Sequence, residues 1–387
     1  MAYDFDTITD RRHTDCIKWD AYGDDVLPMW VADMDFQAPE PVMQALKRQV
    51  EHGIYGYGHE PKELRPVILE RLQRLYGWRV DPEALIFLPG VVPGFNLACR
   101  ALVQPGAGLL IQTPVYPPIV TVAERTGLRR CHAELVQQAD GRYEIDFDSF
   151  ERAAAEAAGG LFILCNPHNP VGRVFRRDEL ERMAEICLRH RLWIVSDEIH
   201  CDLLFDGREH LPIATLGPEV AARTVTLMAP SKTFNVAGLY CSVAIVEDPE
   251  LRARYNDFRT DLIPYVNITG YTAALAGYRD GQPWLEALLA YLESNRDFLT
   301  AYVKENLPGV RMLTPEGTYL AWLDCRGTNL GENPHKFFLR EARVAVNDGV
   351  TFGPGGEGFV RLNFGCPRAL LIEGLERMRR ALQGRSA

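Results

Sequence analysis

Short stretches that are apolar on both faces recur through the first two thirds of the chain, at 85–88, 109–112, 161–165, 192–196, 224–229 and 241–246. Runs of this length without alternation suit strands buried on both sides, as in a mostly parallel sheet. Helical spacing fills most of the gaps, for example at 95–102 and 178–190. The alanine-rich tract 153–160 reads as a helix end stopped by Gly159 and Gly160. Alternating strand and helix predicts an α/β fold with a mostly parallel sheet flanked by helices.

The last third has a different pattern. Residues 282–306 read as one long amphipathic helix, with Leu285, Leu288, Leu289, Leu292 and Phe298 on one side. Residues 319–323 and 358–364 then look like strands of a smaller α+β domain. The first 45 residues lack a clean period and are expected to wrap onto that domain. The expected division is 46–280 for the large domain, and 1–45 with 281–387 for the small one.

Composition narrows the partners. The chain has 387 residues, 47% of them hydrophobic, enough for a large core. Its 42 basic and 52 acidic residues are interspersed and sum to −10, which argues against nucleic acid and anionic membrane. No run approaches the ~20 apolar residues that span a bilayer. The polar, acidic start carries no secretory pattern, and a cytoplasmic location is expected. Nine scattered cysteines without a Cys-x-x-Cys pair suggest reduced thiols, not a disulfide framework or a zinc site.

Candidate chemistry sits where the apolar runs end. In α/β sheets, ligands bind beyond the carboxyl ends of the strands. Lys232 follows one run, in Ser-Lys-Thr-Phe-Asn at 231–235, in what reads as a loop with no adjacent acid. An amine that condenses with an aldehyde needs a lowered pKa, which desolvation provides; the alternative is an ordinary surface lysine. Asp197 ends another run. It could keep a pyridine nitrogen protonated, or cap a helix. His200, three residues on, could bond a phenolic oxygen or be a partly buried core histidine. Asn169, in Asn-Pro-His-Asn-Pro-Val-Gly at 166–172, could donate its amide to the same oxygen, or belong to a plain turn cluster. Gly90, Val91 and Val92 form a small turn before a helix that begins with Pro93, a ready anion site or any strand-to-helix turn. Tyr116 is flanked by prolines and could stack on a planar ring, or simply pack its loop. Arg361 is the one strong base in an apolar strand; its fork matches a carboxylate, either of a substrate or of a salt bridge within the domain.

The order Tyr116, Asn169, Asp197, Lys232, Arg361 resembles the fold-type I pyridoxal-phosphate enzymes, aminotransferase class I/II, over essentially the whole chain, which implies an aspartate aminotransferase-like α/β fold with a seven-stranded, mostly parallel sheet in the large domain and a smaller α+β domain. The resemblance implies that Lys232 links to the cofactor aldehyde, that Asp197 faces the ring nitrogen and that Asn169 faces the phenolic oxygen. Arg361 would hold the substrate carboxylate. Tyr57, in Gly-Ile-Tyr-Gly-Tyr-Gly, resembles the tyrosine that reaches the cofactor phosphate of a partner subunit, which implies a homodimer. Residues 28–36, Pro-Met-Trp-Val-Ala-Asp-Met-Asp-Phe, look like the N-terminal signature of MalY/PatB-type cystathionine β-lyases, as do Arg12, Thr14, Lys18, Trp19 and Asp20. Substrate contacts are expected from Trp30 and Ala32 there, and from Tyr116. The family often has an arginine eight residues after the lysine, binding phosphate; Tyr240 stands at that position. Ser231 and the turn at 90–92 would then carry more of the phosphate.

The expected activity is therefore pyridoxal 5'-phosphate-dependent C–S β-elimination of a small, sulfur-containing amino acid such as cystathionine, cysteine or a cysteine S-conjugate. An aminotransferase in a specialised pathway is the alternative, since both use the same residues as far as removal of the α-proton. A fold kept for a regulatory or binding role fits less well, because binding alone has no need of an aldehyde-reactive lysine.

Overall fold

The computed structural model describes residues 3–260 and 262–384. Its main sheet has eight strands: β1 (Leu85–Leu88), β2 (Gly108–Thr113), β3 (Arg129–Gln137), β4 (Tyr143–Ile145), β5 (Leu161–Cys165), β6 (Trp193–Asp197), β7 (Thr224–Met228) and β8 (Ser242–Ile245). Their order across the sheet is β1-β8-β7-β6-β5-β2-β3-β4. Strands β7, β6, β5, β2 and β3 are parallel neighbours, whereas β8 and β4 run against theirs. The strand count corrects the sequence expectation of seven. The edge strand β4 and its neighbour β3 give no apolar run, because β3 alternates buried and exposed positions and β4 is only three residues long.

Every residue of β5 and β7 is buried, as is all of β6 except Trp193. These strands need the helices on both faces to keep them dry. Helix α1 (Val91–Ala101) is one such cover. A Cβ at its Gly94 would come within 2.8 Å of Leu227 Cδ2. Glycine at that point lets α1 lie directly on β7, bringing the helix start close to the strand tips. Further along, past other covering helices, lie the short helix α2 (Pro230–Thr233), later α3 (Ile268–Asp280) and the 25-residue α4 (Gln282–Asn306), whose bounds match the expected helix.

A second, four-stranded antiparallel sheet holds β9 (Arg311–Met312), β10 (Leu320–Asp324), β11 (Asn347–Asp348) and β12 (Phe359–Asn363), in the order β9-β10-β12-β11. It packs with α4 and the last helix, α5 (Arg368–Gln383). Leu288, Leu292 and Leu299 of α4 share one apolar cluster with Leu320, Val360, Leu371 and Met378. Phe5, Trp19, Leu27, Met29, Met34 and Phe36 of the N-terminal stretch belong to the same cluster. Leu27–Pro28 pairs in parallel with Val344–Ala345. None of the described helices is long and apolar enough to cross a membrane.

Candidate active site

Register places the chemistry. Cys165 at the end of β5 pairs with Asp197 at the end of β6, and Asp197 with Leu227 of β7. Neighbouring strands lie about 4.8 Å apart, so whatever follows these three tips converges. A cavity of about 310 Å³ opens there, lined by Gly90, Val91, Val92, Tyr116, Asn169, Asp197, His200, Ser231, Lys232 and Ala32 among others. Among the described residues three roomier hollows, of about 540, 740 and 520 Å³, lie elsewhere; the first has an amine, Lys304, beside Asp140, Asp324 and Gln137, but that lysine is exposed, and the other two have no lysine in their lining.

Lys232 stands in helix α2, not in a loop. Pro230 closes the strand and, with its fixed φ, opens the helical turn. The Lys232 Nζ donates to the Ala32 carbonyl at 2.5 Å. Burial, helped by the Arg361 charge, lowers its pKa to about 8, against the pull of Asp33 and Asp197. The expectation of no adjacent acid is thus corrected: Asp33 arrives from some 200 positions away, which local sequence cannot show.

Asp197 is 3% exposed. Burial raises its pKa to about 7, although a bond from the Ile199 N–H (3.2 Å) and the Lys232 charge oppose the rise. No helix follows it, so the capping role is excluded; residues 199–202 form a turn. His200 is buried, and desolvation holds its pKa well below 6.5, so its ring is neutral. Its Nδ1 has no hydrogen-bond partner among the described residues.

The loop carrying Asn169 is shaped from within: Gly172 N–H donates to the His168 carbonyl, and His168 N–H to the Arg173 carbonyl. Asn169 Oδ1 accepts from Arg361 Nη1 at 3.0 Å. That bond fixes the amide orientation and leaves Nδ2 as its donor. Arg361 also donates from Nη2 to the Trp30 carbonyl (3.0 Å) and to Asn347 Oδ1 (2.6 Å). Burial lowers its pKa to about 10, which leaves it charged at neutral pH. None of these three partners is a carboxylate, which corrects the salt-bridge alternative. Asn347, which the sequence reading missed, pairs with Arg361 across β11 and β12; a lone asparagine in a two-residue strand gives no signal.

Helix α1 begins at Val91 with Gly90 as its N-cap, two residues earlier than expected, and no side chain caps it. Pro93 therefore sits in the third helical position, where its missing N–H would have had no partner in the helix anyway. The N–H groups of Val91 and Val92 remain free of helical partners. Tyr116 lines the cavity, and burial raises its pKa. Tyr240, Cys165 and Cys241 also line it.

Two expected residues stand elsewhere. The Trp30 indole donates to the Lys18 carbonyl at 3.1 Å and meets Tyr22 edge-on; only its backbone reaches the site, through Arg361. Tyr57 is fully exposed and lines the 740 Å³ hollow with His59, Arg65 and Tyr265.

The family model for aminotransferase class I and II matches residues 24–378. Cystathionine beta-lyase PatB of Bacillus subtilis is 41% identical over 385 residues, covering 98% of this chain and 99% of that protein. The crystal structure of OvoB superposes with a TM-score of 0.93 at 45% identity, covering 98% of this chain and 99% of that one. Cystalysin of Treponema denticola, whose crystal structure contains a pyridoxal 5'-phosphate cofactor, gives a TM-score of 0.94 at 33% identity, covering 99% of this chain and 100% of that one. The chain therefore belongs to the class I and II aminotransferase family, in the branch that holds the PatB-type cystathionine β-lyases.

Proposed function

We propose that the chain is a pyridoxal-phosphate-dependent C–S β-lyase, which cleaves cystathionine, cysteine or a cysteine S-conjugate to a thiol, pyruvate and ammonia. The observation that carries the reading is one small cavity holding a buried amine lowered to about 8 beside a buried carboxylate raised to about 7. The donor set fits the cofactor. The uncapped start of α1, with the Ser231 hydroxyl, would take its phosphate. Asp197 would take the ring nitrogen, the Asn169 Nδ2 and unpartnered His200 the phenolic oxygen, and Lys232 the aldehyde. When bound, the group supplies an aldehyde that holds the substrate amine and a protonated ring that draws electrons from the α-carbon.

The rest is the work of this chain. Arg361 is a buried cation without an anion among its bonded partners, a costly arrangement that a substrate carboxylate would relieve. Its fork is already aimed by Asn169, Asn347 and the Trp30 carbonyl. With the carboxylate fixed, the α-hydrogen can be presented to Lys232. The lowered pKa of Lys232 enlarges its neutral fraction and lets it take that proton. The β-carbon–sulfur bond then breaks, its electron pair leaves on sulfur, and the thiolate takes up a proton. One water enters, and pyruvate and ammonia leave. Ala32 and Tyr116 border the space for the sulfur side chain.

A homodimer is part of the proposal. Tyr57 is fully exposed in a stretch without helix or strand, beside the exposed Ile54 and Tyr55, as a residue serving a partner's site would be. The proposed division keeps 46–280 as the large domain, and 1–45 with 281–387 as the small one. A cytoplasmic location suits nine unpaired cysteines, eight of them buried.

Turnover of the cofactor-loaded protein with L-cystathionine and no keto acid tests the reading. Repeated, stoichiometric release of pyruvate and free thiol supports it. Absence of both products, with conversion of an added keto acid to an amino acid, overturns it in favour of an aminotransferase.

A further inference from the structure

The signature at residues 30–36 has a physical role that the mechanism above does not use. This stretch forms neither helix nor strand. Its carbonyls are held by side chains from distant parts of the chain instead. Arg361 takes that of Trp30, Asn363 those of Val31 and Asp33, and Asn235 those of Met34 and Phe36. The Ala32 carbonyl receives two donors, Lys232 Nζ at 2.5 Å and the Tyr319 hydroxyl at 2.8 Å. Tyr319 is wholly buried.

Next to that carbonyl is the Asp33 carboxylate. Its Oδ2 meets Arg11 Nη2 at 2.7 Å. Its Oδ1 lies 3.3 Å from Lys18 Nζ, yet is buried with no hydrogen bond among the described residues. Arg11 and Lys18 are anchored in turn on Asp35, at 2.6 and 2.7 Å, and Asp35 also accepts from the Trp19 indole. Two cations and two carboxylates thus balance within the N-terminal stretch, and Asp33, next to the Ala32 carbonyl that Lys232 Nζ touches, is the member whose charge acts on Lys232, without an ion pair between them.

We infer that the Ala32 carbonyl and the Asp33 carboxylate are the receiver for the protonated Lys232 amine, with Tyr319, Arg11 and Lys18 as positioning residues. The receiver stabilises the amine once it has taken the substrate proton. The signature of the lyase branch is then a proton-holding wall as well as a substrate contact. Other charged or polar groups stand around Lys232 too: Asp197 at the end of β6, His200 beyond it, Arg361 on β12 and Tyr319 before β10. Of these, Asp33 and Asp197 favour the cation and Arg361 opposes it.

This inference rests on Lys232 being the residue that links to the cofactor. The test is a pH titration of the visible absorbance of the cofactor-loaded, full-length protein, with the pH profile of kcat/KM beside it. Asp33→Asn removes a charge facing Lys232 and should lower the absorbance midpoint by about one pH unit; Asp33→Glu should restore it. Asp35→Asn breaks the same ion cluster away from Lys232; it should lower resistance to urea and leave the midpoint in place. Tyr319→Phe removes a hydroxyl dipole whose positive end competes with the ammonium, and should raise the midpoint by roughly half a unit. Opposite signs for Asp33→Asn and Tyr319→Phe exclude general loosening as the cause. The inference is overturned if Asp33→Asn leaves the midpoint unmoved, or if Asp35→Asn moves it equally. Should Asp33→Asn fail to fold, the Tyr319→Phe shift decides in the same way. A Lys232→Ala protein that keeps the wild-type band would instead sink the assignment of Lys232 itself.

Discussion

One wall of the Lys232 cavity is a row of strand tips, and the other is irregular chain from the N-terminus. At the first wall, β5, β6 and β7 end side by side in a main-chain ladder, and the site residues follow at the next turns. At the second, residues 30–36 make no ladder, and side chains including Arg361, Asn363, Asn235, Tyr319, Lys18 and Arg11 take their carbonyls. The ladder repeats, so losing one side chain there removes chemistry without disturbing the scaffold. The second wall is a set of separate bonds, many of them between distant residues: the Trp30 and Phe36 carbonyls are each taken by one side chain, those of Val31, Ala32, Asp33 and Met34 by two donors, and each loss weakens or strips a carbonyl that water cannot easily reach. Damage to the first wall should therefore appear in catalysis, and damage to the second in stability and in pH dependence.

The largest expected effect is at the first wall. Lys232→Ala should lower turnover on the order of 10⁴-fold with little change in urea unfolding, read by pyruvate release beside a denaturation curve. Asp197→Asn should cost roughly 10²-fold or more, because the charge that holds the ring proton is gone; a full rate after loading with excess cofactor would contradict its role. Arg361 joins both walls, through Asn169 on one and the Trp30 carbonyl on the other. Arg361→Lys should raise KM about 100-fold, since a point charge cannot replace the fork, and should lower stability as well. A change in kcat alone would mean that the carboxylate binds elsewhere.

Asn363→Ala sharpens the contrast. It withdraws donors from the Val31 and Asp33 carbonyls and an acceptor from the Gly365 N–H. We expect a loss of about 3 kcal/mol in urea unfolding, with residual turnover in the folded fraction. Tyr57→Phe should have the smallest effect, roughly a tenfold rise in the cofactor concentration needed for half-maximal activity. A monomer by light scattering at working concentration would remove the partner role of Tyr57.

The sequence by itself determined the alternation of buried strand and helix, the long helix at 282–306, and the positions of Lys232, Asp197 and Asn169 at the ends of apolar runs. These features are legible because burial on both faces and helical periodicity are local properties of composition. The same locality explains the misses. Strands β3 and β4 alternate polar and apolar positions at a sheet edge, and the start of α1 was hidden by a proline in its first turn. Tertiary structure alone decided that Ala32 would meet Lys232 and bring the Asp33 charge near it, that Asn347 would aim Arg361, and that Trp30 would turn its indole to Lys18. Those contacts join residues from 12 to about 200 positions apart. No spacing rule reaches across such distances, because they are set by how the N-terminal stretch packs between the two sheets.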